Sequence, residues 1–248
     1  MPQDRQFVEA LARGLAVLEA LSRAQRPLGN GAIARETGLA PSTVSRLTHT
    51  LVTLGYLRPG GDGRVYALTA KNLALGYPVL AGLTLADRAR PVLRDLAEAT
   101  GETAALAMRD GLHVTFVEVV TGSSLVSVRL VVGGRLPIAV AAAGVAVLSA
   151  LPDGDRRALT ARVRGAISRR GADPAAFDRA LSEASGSGLA VMRNAWRPGI
   201  GGVAVPVRIG EDILALTIPV ATGSVTEAAM RGPLASRLRE AAARLSAG

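Results

Sequence analysis

The chain has 248 residues, with 29 Lys+Arg against 20 Asp+Glu and no cysteine. A chain of that length buries a sizeable core, as one large domain or as a small domain joined to a larger one, and the lack of cysteine excludes disulfides, thiolate metal sites and thiol nucleophiles. The net charge of +9 fits a polyanionic partner.

The first apolar stripe, Val8, Leu11, Leu15, Leu18 and Leu21, recurs at steps of three and four and predicts an amphipathic helix over Phe7 to Arg23. The Pro27 to Gly31 region breaks it. Asn30 is placed to cap a short second helix, and Gly38 to follow its end. A third helix starts near Pro41 or Ser42 and stops at Gly55. It carries an apolar stripe (Val44, Leu47, Leu51, Leu54) and a polar one (Ser42, Ser45, Arg46, His49, Thr53).

Next, residues 56–58 and 64–68 flank Pro59-Gly60-Gly61-Asp62-Gly63 and read as a β-hairpin with a mobile tip. Helix, short helix, helix and hairpin is the order of a winged helix-turn-helix. In that motif the helix after the turn enters the DNA major groove with its first residues at the base edges. The predicted DNA-binding residues are therefore Ser42, Thr43, Ser45, Arg46 and His49 on the helix, with Arg58 and Arg64 on the wing. Arg5 and Arg13 add charge nearby.

A helical pattern over Thr69 to Gly82 (Leu73, Leu75, Leu80) predicts a linker helix, and a further helix runs from Ala86 to Thr100. Beyond it the residues favour strands: Thr103 to Arg109, then Leu112 to Val120 after a type I′ turn at Asp110-Gly111, then Leu125 to Val132. Leu136 to Pro152 is uncharged and alanine-rich. It is shorter than the roughly 20 strongly apolar residues of a membrane span and reads as a buried helix. Residues 153–187 are helical and charged. Leu189 to Arg193, Val203 to Arg208 and Ile213 to Val220 are three more strands, and a helix over Thr226 to Leu245 closes the chain. Strands on both sides of a helical insert give an α+β fold. The expected domains are a winged helix-turn-helix over 1–68, a linker helix over 69–84 and a mixed α/β domain over 85–248. The N-terminus carries charges where an export signal would be apolar, and a cytoplasmic location is expected.

Nothing in the sequence points to catalysis. Its two histidines, His49 and His113, belong to no cluster at metal-ligand spacing. Ser123, Ser124 and Ser127 lack a G-x-S-x-G context. The run Arg197-Pro198-Gly199-Ile200-Gly201-Gly202 lacks the Lys-Ser/Thr of a phosphate loop, so its glycines read as places where backbone approaches backbone or a ligand. No catalytic residue, metal or cofactor is expected.

The segments LARGLAVLEAL, AIARETGLAPSTVSRLTHTLVTLGYL, YALTAKNLALG, LRDLAEATGETAALAMRDGLHVTFVEVV and GLAVMRNAWRPGIGGVAVPV resemble the IclR family of bacterial transcriptional regulators, over nearly the whole chain. The resemblance implies a winged helix-turn-helix joined by a linker helix to a GAF-like effector-binding domain. It also implies dimers, or pairs of dimers, on palindromic double-stranded operators, and control by a small metabolite, often an organic or aromatic acid. It places Ser42, Thr43 and Arg46 at DNA-contacting positions. In the second domain it puts Leu125, Val128, Ala142, Ala143, Met192, Ala204, Thr217 and Pro219 at or near the ligand pocket.

Two departures narrow the ligand. Where the family often carries polar residues after the proline, this chain has Ile138-Ala139-Val140-Ala141-Ala142-Ala143-Gly144-Val145. Where it usually carries a run of carboxylates before a glycine, this chain has Met192-Arg193-Asn194-Ala195-Trp196-Arg197. A wall so poor in polar groups suits an aromatic or largely apolar effector, with a carboxylate held by Arg129 or by backbone amides. The alternatives are that Arg129, Arg193 and Arg197 are surface charges on a pocket that has lost its ligand, leaving a constitutive DNA-binding protein whose second domain only oligomerises, or an enzyme with an appended DNA-binding domain.

Overall fold

The computed structural model describes residues 6–61, 63–76, 84–169 and 171–247. The chain divides into two compact units, Met1–Gly82 and Leu83–Gly248.

In the first unit α1 (Glu9–Ala24), α2 (Asn30–Thr37) and α3 (Pro41–Thr53) surround a core of Val17, Leu21, Leu28, Ile33, Val44, Leu51 and Leu57. Gly38 ends α2 in the left-handed region (φ 70), and its amide donates to Ala34 O at 2.9 Å. A residue with a Cβ is strained there, which is why the turn between the two helices falls on a glycine. Contrary to the sequence expectation, Asn30 does not cap α2. Gly29 is the cap residue, and Asn30 lies inside the helix with its Oδ1 3.1 Å from the hydroxyl of the fully buried Thr48 on α3. This contact ties α2 to α3, and the same hydroxyl lies 3.1 Å from Ser45 O.

The break after α1 holds a strand the sequence did not announce: β1 (Leu28–Gly29) pairs with β3 (Val65–Leu68), which pairs with β2 (Leu57–Pro59), in the order β1-β3-β2. The apolar stripe of α1 is only half used. Val17, Ala20 and Leu21 are buried, whereas Val8, Leu11 and Leu15 are exposed. Residues 69–72 pack back on the end of α3: Thr69 Oγ1 donates to Gly55 O at 2.6 Å, Asn72 Nδ2 to Tyr56 O at 2.8 Å and Lys71 Nζ to Leu54 O at 2.8 Å. Residues 73–76 are helical; the rest of the expected linker, residues 77–83, lies outside the described residues.

The second unit is a three-layer α/β/α arrangement. Its antiparallel sheet has the order β6-β5-β4-β9-β8-β7, from β4 (Ala104–Asp110), β5 (His113–Val120), β6 (Arg135–Pro137), β7 (Ala190–Arg193), β8 (Ile200–Ile209) and β9 (Asp212–Ala221). Alternation along the strands gives the sheet two apolar faces. One face presents Leu106, Val203, Val205, Leu214, Leu216 and Ile218 to α4 (Thr84–Thr100) and to the C-terminal helix. The other presents Ala105, Ala107, Ala190, Ala204 and Ala215. Such small residues let α5 (Ala142–Ser149), buried along its whole length, lie close to the sheet, with α6 (Asp153–Ser168) and α7 (Ala175–Ser187) outside it. The closing helix begins at Glu227–Ala229, widens into a π turn over Met230–Leu234 around Pro233, and continues as α8 (Ala235–Ser246). An ion pair crosses the first face: the half-exposed Arg90 on α4 donates Nε and Nη2 to the buried carboxylate of Glu118 on β5, at 3.0 and 3.2 Å.

Two expectations are corrected. The hairpin turn is Gly111-Leu112, because Asp110 pairs with His113. Only Gly111 has positive φ, and a type I′ turn requires it at both positions. Residues 125–132 form no strand. The place beside β5 is taken by residues 133–137, with Gly133 N donating to Phe116 O at 2.8 Å and Gly134 O accepting from Phe116 N at 2.9 Å. The valines of 125–132 therefore have β-forming character but no neighbour to pair with.

Candidate functional site

The outer face of α3 assembles the polar residues singled out from sequence. Ser42, Ser45, Arg46 and His49 are exposed and Thr43 is half-buried, while Val44, Thr48 and Leu51 on the opposite side are buried. The periodicity of the sequence alone produces this division. The first intrahelical bond of α3 runs from Val44 N to Ala40 O, and Ala40 offers no side-chain cap. The amides of Ser42 and Thr43 thus face outward unbonded within the helix, beside two hydroxyls, as an anion would require. One turn further, the exposed guanidinium of Arg46 can form the forked bond pair that guanine or phosphate accepts. Arg58 on β2 and Arg64 just before β3 are exposed on the wing.

The second unit holds a small cavity of about 50 Å³, partly open to solvent, between one face of the sheet, the start of α5 and the segments 128–136 and 192–202. Of the residues expected there, Val128, Ala142, Ala143, Met192, Thr217 and Pro219 line it. Three do not. Leu125 is fully exposed on the segment before the cavity, Arg129 points to solvent between two residues that face inward, and Ala204 is buried beneath, paired with Thr217 and Ala190 across the sheet.

The lining also includes Phe116, Leu130, Ala195, Trp196 and Ile200, which sequence reasoning did not place there, and the pair Gly201-Gly202, which it read as approaching backbone or a ligand. Its one signal for them was the departure at 192–197. Arg193 is not a surface charge. It donates to the carbonyls of Val225 and Thr222, both at 3.2 Å. Arg197 lies over the Trp196 ring, 4.6 Å from its centre. A Cβ at Gly201 would come within 2.8 Å of Met192 O, so backbone does approach backbone at this run.

Among the described residues, no acidic side chain lines the cavity. Its polar resources are the Thr217 hydroxyl, which donates to Val203 O at 3.0 Å, the indole N–H of Trp196, and backbone. At α5 the cap residue Ala141 supplies no side chain to the first-turn amides, and the first intrahelical bond is Val145 N to Ala141 O. Ala142 and Ala143, which carry two of those amides, border the cavity. Among the described residues, no group of three or more His, Asp or Glu side chains is arranged to hold a metal, and no helix is long and apolar enough to cross a membrane.

Comparison with known proteins identifies both units. Residues 10–61 match the IclR helix-turn-helix domain, and residues 78–247 match the family described as bacterial transcriptional regulator IclR C-terminal. The chain belongs to the IclR family. As an IclR-family protein it is a DNA-binding transcriptional regulator. It is 32% identical over 228 residues to the Pca regulon regulatory protein of Pseudomonas putida, covering 90% of this chain and 78% of that one. Among solved structures, an IclR family transcriptional regulator from Brucella abortus matches with a TM-score of 0.76 and 34% identity over 100% of this chain and 94% of the other. An IclR homologue from Microbacterium hydrocarbonoxydans, solved in complex with 4-hydroxybenzoate, matches with a TM-score of 0.70 and 26% identity over 96% and 98%.

Proposed function

We propose that this IclR-family regulator is controlled by a small aromatic or largely apolar organic acid held in the cavity of its second unit. The observation that carries the reading is the pairing of an apolar, carboxylate-free wall with an uncapped helix start at Ala142 and Ala143. The wall favours a hydrocarbon ring, and the amides of the first helical turn favour the ligand's carboxylate. The relative crystallised with 4-hydroxybenzoate supports the same class. Arg129, exposed and outside the lining, is not assigned to the carboxylate.

On the DNA side, Ser42, Thr43, Ser45, Arg46 and His49 read the major groove and Arg58 and Arg64 fix the wing against the backbone. Two copies of the chain occupy a palindromic operator in the cytoplasm. Effector binding changes operator affinity only as far as it prefers one arrangement of the DNA-reading units over another.

Thermal unfolding of the purified chain with a panel of small acids, 4-hydroxybenzoate included, tests the reading. A ligand at about a hundred times its Kd stabilises by about 2.7 kcal/mol, which for a chain of this size raises Tm by roughly 5–10 °C. An unchanged Tm across aromatic and aliphatic acids alike would favour the constitutive regulator with an unused cavity.

A further inference from the structure

The chain contains three Phe, three Tyr and one Trp, and of these Phe116 and the single tryptophan, Trp196, line one cavity. Phe116 is buried in the floor; Trp196 is 40% exposed and stands at the mouth. The segment that carries the tryptophan also lines the cavity with Met192, Ala195, Ile200, Gly201 and Gly202.

Trp196 is not on a loose loop. Just after β7, Asn194 adopts the left-handed region (φ 55), and its Oδ1 accepts from Gly199 N at 2.8 Å and from Thr222 Oγ1 at 3.1 Å. Arg193 fastens the same place to the carbonyls of Thr222 and Val225. The four residues between Asn194 and Gly199 are therefore closed into a loop by a side-chain bond, with Trp196 the second of them. Arg197, which does not line the cavity, covers one face of the ring at 4.6 Å from its centre. The indole meets the cavity with its remaining surface.

Accordingly, we propose that Trp196, backed by Arg197, is the specificity-determining wall of the cavity and selects effectors with a planar aromatic ring over saturated rings of the same size and charge. This rests on the reading of the cavity as an effector site. The physical reason is twofold. An aromatic ring slides into offset or edge contact with an indole, while a puckered ring keeps fewer atoms in contact and has no quadrupole to align. The guanidinium over the indole holds the ring through a cation–π contact and leaves a positive charge at the mouth, which favours an approaching carboxylate.

The experiment compares 4-hydroxybenzoate with trans-4-hydroxycyclohexanecarboxylate, by calorimetry in wild type, Trp196→Leu, Trp196→Phe and Arg197→Gln, and by the fluorescence of the lone tryptophan in wild type and Arg197→Gln, which keep it. Wild type binds the planar acid at least tenfold more tightly and shows a fluorescence change. Trp196→Leu brings the ratio to within about twofold of unity while binding the saturated acid as before, Trp196→Phe retains most of the preference, and Arg197→Gln weakens both acids. Circular dichroism melts of the unliganded variants confirm that each is folded. Equal binding of the two acids by wild type, or a preference that survives in Trp196→Leu, overturns the role of Trp196 and leaves the effector site standing. Failure of both acids to bind wild type overturns the site and this role together.

Discussion

Arg46 extends from the second turn of α3 into solvent, directly after the hydroxyl-bearing start of the helix. If its guanidinium forks onto a base edge, Arg46→Ala costs about 1–3 kcal/mol on the preferred site and little on random DNA. Fluorescence anisotropy with both duplexes measures this; an equal loss on each makes Arg46 a phosphate contact. A second residue-scale effect lies in the other unit. Burial holds the Glu102 carboxyl above the usual carboxylate range, against a hydrogen bond from Ser124 that pulls it down. Its Oε2 finds no partner among the described residues. The folded chain therefore binds this proton more tightly than the unfolded chain does. The corresponding stability is complete below the ordinary carboxylate pKa and is lost as pH rises through the folded value. Glu102→Gln, neutral at every pH, is expected to melt above wild type at pH 7.5, with the gap closing as pH falls below about 4. A gap that stays constant with pH would assign the gain to packing instead of ionisation.

The turn between α2 and α3 depends on one glycine. A Cβ on Gly38 would touch nothing within 4 Å, so Gly38→Ala costs only the left-handed strain at φ 70, about 1–2 kcal/mol, read as a lowered denaturation midpoint with an unchanged denaturant slope. A larger loss would mean that the turn meets another surface. On the wing, Arg58→Ala is expected to reduce the slope of log affinity against log salt by about one; an unchanged slope places β2 away from the phosphates. Elements of this kind were legible in sequence because their causes are local: the apolar spacing of α3, the glycine after α2, the Pro-Gly tip of the wing. Residues 125–132 misled for the opposite reason. Their valines show strand propensity, but whether a strand forms depends on which segment reaches β5 first, and the Gly133-Gly134 pair occupies it. Likewise, the stripe of α1 predicts a helix but not that Val8, Leu11 and Leu15 stay exposed.

At the scale of the whole molecule, the order of motifs gave the family and the two-part plan, because both are written in short runs of sequence. The cavity was legible only in part. Val128, Ala142, Ala143, Met192, Thr217 and Pro219 were placed through the family resemblance, whereas Trp196 and Phe116 enter through sheet register and a loop closed by Asn194, neither of which has a period to read. Leu125, placed through the resemblance, and Arg129, expected to hold a carboxylate, both turn their side chains to solvent.

If a ligand in that cavity and an operator at α3 act on one equilibrium, each must change the affinity of the other by the same factor. The most direct measurement is therefore the Kd of the purified protein for an oligonucleotide it has itself selected from a random pool, at one fixed salt concentration, with and without saturating 4-hydroxybenzoate. The account predicts a shift of fivefold or more, in either direction, as expected for a coupling of roughly 1–3 kcal/mol. An identical Kd with the ligand demonstrably bound would contradict it.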